Sequence, residues 1–538
     1  MITRSAAFRA MAPGIILAVL LLAPFCNKAF TIDDTLFLRQ AQHLLRDPLH
    51  PTAFEMAWTQ SDDPQRMSKI MPSGPVTAYL LVPTAAAGGS EPIAHLTQLA
   101  LLILAISATV SLGLRMGLAP RDAAAAGLLL AATPAALAMA GTNMPDVPAM
   151  AFGVLALERL YAWKQQGRRH QAAAAAAALA LATLSRSHLF LLAGIGALAL
   201  VEEPWDHARW RSLPPKAWAP LAAAPLMIAA IAAITRDPAS EAAALVVSAK
   251  SLVFRQVLGC NLVAFFTHWV LVLPLALPMF CLRAKRIVRS PVLYGGTFLA
   301  YSAIMLAPNR GESPQGFIAP IAGLGAAVLW DILHDAWTRG DGPQFVLGSW
   351  LLAALPVCAY LHMPSKYLLA SAPAAAILVA RALAASTAAL RRAVLGLTLV
   401  LGAGLGVLIL RADAAFADLG RRAAAEMIAP RIREGRNVWF AGHWGFQWYA
   451  EKAGARCLTA LPPHPLRGDL VVSTEHSFGR TIELFSNRKE LSDLVDLTPG
   501  GRIMDQSLGA GFYSNAWGCL PWAWGSTEID RFVLWEIQ

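Results

Sequence analysis

Residues 31–51 read TIDDTLFLRQAQHLLRDPLHP. They follow an apolar run at 9–26 that is long enough to cross a bilayer as a helix. Asp33 and Asp34 therefore stand where the chain leaves the membrane. Behind them Phe37, Leu38, Ala41, Leu44 and Leu45 recur at helical spacing. The pattern predicts an amphipathic helix lying in the membrane interface. Thr31 or Asp33 can cap it, and the helix dipole favours negative charge in its first turn. Taken alone, the acidic pair reads as a capping pair or as a pair of reacting carboxylates.

The composition around this stretch agrees with a membrane setting. Of 538 residues, 56% are hydrophobic and only 14% charged, against about 25% charged in ordinary soluble chains. That excludes a disordered chain, a collagen-like chain and a conventional soluble enzyme. The formal charge of +10 is uneven. Residues 1–411 hold 31 basic and 19 acidic residues, and residues 412–538 hold 13 and 15. The first part reads as a membrane domain, with 27–93 as its first outer loop carrying interfacial helices, and 412–538 as a soluble outer domain.

Thirteen apolar stretches can serve as spans, near 9–26, 94–114, 122–141, 147–163, 171–185, 187–201, 217–235, 261–282, 291–307, 316–333, 344–362, 367–385 and 393–411. Many are rich in Ala, which lets helices approach closely. The pair at 171–201 is split only by Ser185-Arg186-Ser187-His188. Counted as two spans, it keeps the cations on alternate sides. With Arg4 and Arg9 in the cytoplasm, 18 basic residues fall on that side. Six fall in the opposite short loops: Arg186, Arg236, Lys250, Arg255, Arg310 and Lys366. This asymmetry is the positive-inside signature. It predicts an uncleaved first span, a cytoplasmic N-terminus and a C-terminal domain outside, in the periplasm or extracellular space. Basic residues that flank spans do not form a nucleic-acid face.

The outer loops hold the remaining candidates. Asp146 is the only acidic residue between 123 and 157 and opens a wholly apolar helix. A carboxylate at that depth is costly unless paired or functional. Arg186, Lys366 and Tyr367 lie in loops of the same face; each cation also reads as a boundary anchor. No His, Cys or Asp cluster has metal-ligand spacing, so no metal site and no bound cofactor is expected. Cys457 and Cys519 share the outer domain and could pair in an oxidising compartment.

These motifs carry a resemblance. The run DDTLFLRQAQHLLRDPLHPTAFEMAW, then TNMPDVPAMAFGVLAL, LSRSHLFLLAG, SKYLLASAPAAAIL and GHWGFQWYAEKAGA resembles, in order, the GT-C superfamily of polytopic glycosyltransferases. It is most similar to bacterial relatives of the protein O-mannosyltransferases (glycosyltransferase family 39) and of the lipid A aminoarabinose transferase. One departure is MPSGPVTAYLL, where relatives often have an Asn-Pro-Pro-Leu-like run; Ser73 and Gly74 separate Pro72 from Pro75. The resemblance implies an all-α polytopic bundle of about thirteen helices with a small C-terminal α/β domain. It implies an enzyme of the bacterial inner membrane, with membrane lipids around it. The donor would be a polyprenyl-phosphate-linked sugar and the acceptor a glycolipid, a polysaccharide or a protein. Asp34 or Asp33 would be the catalytic base, Asp146 would orient the acceptor or the sugar, and Arg186, Lys366 and Tyr367 would bind the lipid phosphate. A secondary transporter or a lipid-sugar flippase is the rival reading, although no internal repeat supports it.

In the tail, NVWFAG, RCLTA, DLVVST and RFVLWEI read as strands and HWGFQWYAEKAGA as a helix. The turn Gly442-His443-Trp444-Gly445 has only the outline of a phosphate-binding turn. Seven of the sixteen tryptophans lie here, and core or interface packing is the expectation for them.

Overall fold

The computed structural model describes residues 4–58, 63–71, 74–239, 251–273, 275–306, 316–477 and 479–538. Lys250, Arg310, Pro72 and Ser73 lie outside them. The helices that build the bundle are α1 (Arg4–Leu22), α2 (Asp34–Leu44), α3 (Glu91–Arg115), α4 (Pro120–Ala131), α5 (Pro134–Ala140), α6 (Asp146–Gln166), α7 (Arg169–Ser185) and α8 (Leu192–Val201). They continue as α9 (Ala219–Ile234), α10 (Ser251–Leu271), α11 (Ala276–Val288), α12 (Pro291–Met305), α13 (Ile318–Arg339), α14 (Gly342–Leu351), α15 (Ala372–Ala384) and α16 (Ala388–Ala423). The chain is thus helical at each of the thirteen expected positions. Among the described residues, seven helices are long and apolar enough to cross a membrane, or nine if each bent pair is one span. The protein is a multi-pass membrane protein.

Local chemistry explains the breaks. α4 and α5 are bent by 58° at Thr133. Pro134 has no N–H to donate and forces the residue before it out of helical conformation, and Thr133 is extended. α7 ends without a proline: Arg186 is extended, and a short 3₁₀ turn over Ser187–Leu191 leads into α8. The Ser185–His188 break is therefore real. Close helix contact depends on small residues: a Cβ on Gly14 of α1 would lie 2.8 Å from the Gly127 backbone of α4.

α16 runs without interruption through residue 411 and ends in a π turn over Ala424–Ile428 and a last helical turn, Ala429–Arg433. Gly435 then turns the chain at φ +78°. One five-stranded sheet follows, built from β1 (Val438–Ala441), β2 (Arg456–Cys457), β3 (Leu470–Thr474), β4 (Arg488–Val495) and β5 (Arg531–Ile537), with helix α17 (Trp444–Lys452) between β1 and β2. The order is β2-β1-β3-β5-β4. β1 is parallel to β2 and β3, with Phe440 opposite Val472, and β5 is antiparallel to β3 and β4. β1 and β3 are buried throughout, as central parallel strands are. β4, unread in the sequence, is an exposed and charged edge strand.

This C-terminal segment folds back over the loop that follows α1. Phe37, Leu38 and Ala41 of α2 pack in one cluster with Phe440, Phe446, Val472 and Leu534. The apolar face of α2 is covered by protein rather than left for lipid, which corrects the expectation of an interfacial helix; only Leu45, past its end, is exposed. Among the described residues, no disulfide joins Cys457 to Cys519.

Candidate functional site

The turn between α5 and α6 is the hub. Its backbone N–H at Asn143 donates to Asp34 Oδ1 at 2.6 Å. Its Met144 Sδ lies 3.3 Å from Lys366 Nζ. Asp146, the first residue of α6, accepts from Arg186 Nε at 3.1 Å and from the guanidinium's terminal nitrogen at 2.8 Å. The guanidinium also lies 5.0 Å over the Tyr367 ring, and the Tyr367 hydroxyl is 3.4 Å from His362 Nε2. Lys366 Nζ lies 3.6 Å from Asp33 Oδ2. All six sequence candidates thus meet around one turn.

The two aspartates have different surroundings. Asp33 stands at the N-cap of α2 but makes no capping bond with its side chain. Its carboxylate turns toward Lys366 and is 28% exposed. Asp34 is 0% exposed. Its Oδ2 accepts from the Thr31 N–H at 3.0 Å, so both oxygens are bound to backbone. Burial pushes the Asp34 carboxyl up to about 7, against the lowering pull of Lys28 and of the two N–H donors. Burial alone would lower the Arg186 guanidinium, but Asp146 and Tyr367 beside it raise it instead, so it stays charged.

Sequence reading missed the layer behind this corner. Lys28 Nζ is 2.7 Å from Asp413 Oδ2, with both side chains inaccessible. The Thr31 hydroxyl donates to Asp413 Oδ1 at 3.5 Å. Tyr513, fully buried, places its ring 5.6 Å from Lys366 Nζ. Burial and the neighbouring Asp413 and Asp34 carboxylates hold its phenol neutral. Lys28 and Asp413 were visible as one opposite charge just past the first and the last span. Nothing in sequence separation, however, shows that two helix ends are adjacent.

The Gly442–Gly445 turn serves packing. Gly442 has φ +142° and Trp444 φ +59°. A Cβ on Gly445 would lie 2.1 Å from the Phe30 carbonyl oxygen, so the start of α17 sits directly on the 30–31 backbone. His443 is buried and shares a 2.9 Å hydrogen bond with Gln447. Trp439, Trp444 and Trp448 are buried, whereas Trp524 is exposed. Among the described residues, no group of three His, Cys, Asp or Glu could hold a metal ion.

No family model matches the chain, and no curated protein matches it in sequence. Solved structures do. The apo oligosaccharyltransferase of Archaeoglobus fulgidus matches at 13% identity and TM-score 0.44, over 85% of this chain and 64% of its own. ArnT from Cupriavidus metallidurans bound to undecaprenyl phosphate matches at 15% and 0.43, over 97% of each chain. The mycobacterial arabinofuranosyltransferase AftD matches at 16% and 0.37, over 99% of this chain and 42% of its own. All three are membrane glycosyltransferases of the GT-C superfamily. This chain spans under two thirds of the length of the archaeal enzyme. With TM-scores below 0.5, the likeness carries no argument by itself. The reading below rests on the residues and their geometry.

Proposed function

We propose that this protein is a glycosyltransferase that moves a sugar from a polyprenyl-phosphate-linked donor to an acceptor of the cell envelope. The observation that carries the reading is the convergence of two acid–cation pairs, Asp33–Lys366 and Asp146–Arg186, on one turn. They come from four separate stretches of sequence. A transfer of this kind needs a carboxylate to receive the acceptor proton and cations to hold the leaving phosphate.

In this reading Asp33 is the base. It is the accessible member of the pair, whereas both oxygens of Asp34 are already bound. The acceptor oxygen attacks the anomeric carbon and its proton passes to Asp33. The bond from that carbon to the phosphate oxygen breaks, and the electron pair leaves with the lipid phosphate. One displacement inverts the anomeric configuration. Lys366 and Arg186 offset the developing phosphate charge, Tyr367 flanks it, and Asp146 fixes Arg186 and orients the sugar or acceptor. Asp34 anchors the corner.

Thirteen crossings, a cytoplasmic N-terminus and a periplasmic segment 412–538 belong to the same proposal, supported by the cation asymmetry of the loops. So does placement in a bacterial inner membrane. The test is turnover by the purified full chain with a panel of undecaprenyl-phosphate-linked hexoses and pentoses, using gene-deleted membranes as acceptor. Labelled sugar should pass to an envelope product with release of undecaprenyl phosphate. Transfer undiminished in Asp33→Asn, at normal protein levels, would remove the assignment of the base.

A further inference from the structure

The segment that presents the two aspartates is under strain. Ile32 is a β-branched residue, 5% exposed, at φ +41°. Such a conformation persists only where the surroundings over-determine it. Residues 28–34 are held at every step. The Lys28 carbonyl faces His95 Nε2 at 2.9 Å. The Phe30 N–H donates to the Tyr449 hydroxyl at 2.9 Å. The Thr31 N–H goes to Asp34 and its hydroxyl to Asp413. The strongest of these ties is the fully buried Lys28–Asp413 pair, which fastens the turn to α16.

We propose that Lys28 and Asp413 are positioning residues: their buried ion pair locks the strained 28–34 turn to the end of the last membrane helix and thereby holds Asp33 against Lys366 and Asp34 under the 142–146 turn. This deepens the glycosyltransferase reading and rests on it. It gives the far end of the chain a part in the reactive corner, because Asp413, Tyr449 and Tyr513 all reach it from 412–538. A buried pair is a poor general stabiliser compared with apolar side chains of similar size. Its position beside a strained turn gives it a use that stability does not.

The pair also sets the field at Asp34. Lys28 favours its ionised form and Asp413 opposes it. Tyr513, beside Asp413 and Asp34, and His95, on the Lys28 carbonyl, also face this corner, and the remaining groups are engaged elsewhere. Asp146 is on Arg186 and Lys366 on Asp33. The short helices packed on α2, Val76–Leu80 and Val82–Ala86, carry no charge. On α17, Glu451 pairs with Arg39, a turn and a half along α2, and Lys452 lies beside them. On α3, Glu91 accepts from Tyr449. The single variants should therefore shift the titration of Asp34, read in the pH dependence of thermal unfolding, in opposite directions. Lys28→Met should move it to higher pH and Asp413→Asn to lower pH.

The test uses the full chain in lipid nanodiscs. The double variant Lys28→Met/Asp413→Leu removes the pair without leaving a lone buried charge, so it keeps its fold. Hydrogen exchange across 28–36 and 141–147 should rise at least tenfold, with 331–341 unchanged. With the undecaprenyl-phosphate-sugar panel, kcat should fall at least tenfold and KM stay within about threefold. Wild-type exchange in the double variant would overturn the proposal, as would single variants whose unfolding titrations move together. If the wild-type chain transfers no sugar, the glycosyltransferase reading fails, and the exchange data still decide whether the pair positions the turn.

Discussion

Two of the acid–cation clusters in this bundle are built differently. In the first, around the 142–146 turn, each acid has one cation, and the Asp146 carboxylate and Lys366 are buried. In the second, Asp331 and Asp335 of α13 share Arg283, Arg286 and Arg339. There the guanidiniums are 20%, 43% and 69% exposed, and the charges are shared several ways. A many-partnered cluster with solvated arginines holds its geometry when one member is lost. A buried one-to-one pair does not, because loss of one partner strands the other. The first cluster can respond to an incoming anion or proton, and the second is suited to anchoring helix ends.

The largest expected contrast is between Asp33 and the second cluster. Asp33→Asn should lower kcat by about 10²–10⁴, the range of a lost general base. Asp331→Asn should leave kcat within about twofold. Steady-state transfer from the undecaprenyl-phosphate-sugar panel measures both, and equal losses would erase the distinction between the clusters.

Asp34 gives the next effect, in stability. Its folded carboxyl lies at about 7, raised from 3.8 by burial. A raised pKa contributes stability that is complete below about 4 and is lost as the pH climbs through about 7. The difference amounts to at most about 4 kcal/mol, since one unit is about 1.4 kcal/mol. The thermal stability of the wild-type chain should therefore fall from pH 5 to pH 8. Asp34→Asn should flatten that slope. An unchanged slope in the variant would move the titration to another group.

Much of this corner was legible in the sequence. Asp33, Asp34, Asp146, Arg186, Lys366 and Tyr367 all stood out because polar groups at the mouths of apolar helices are expensive and few. The helices were legible for the same reason: long apolar runs bounded by basic residues leave little choice of structure. Four things were not legible. The roles of Asp33 and Asp34 divide on which carboxylate faces backbone N–H groups, and adjacent residues of one type look alike in sequence. The Lys28–Asp413 pair joins residues 385 positions apart through the packing of helix ends. The burial of α2 under α17 depends on Gly445 meeting Phe30, and an apolar stripe does not say whether lipid or protein will cover it. The edge strand β4 escaped because its sequence, RKELSDLV, is charged for exposure and lacks the apolar alternation by which strands are read.

Arg186→Lys ranks below the two aspartates. Lysine keeps the charge but cannot form the two-point contact with Asp146 or lie flat over Tyr367. The expected loss in kcat/KM is about tenfold to a hundredfold, carried more by KM than by kcat if Arg186 holds the leaving phosphate in the ground state as well.

The smallest effect sharpens the comparison from the other side. Arg339→Gln removes a guanidinium that is 69% exposed and lies one turn from Asp335 on the same helix. An exposed pair at that spacing is worth about 0.2–1 kcal/mol. Asp335 keeps Arg283 and Arg286 as partners. Unfolding should shift by less than about 1 kcal/mol, and transfer should be unchanged. A loss of transfer comparable to that of Arg186→Lys would mean that the second cluster is coupled to the reactive corner through α13. The difference in wiring between the clusters would then not be a difference in task.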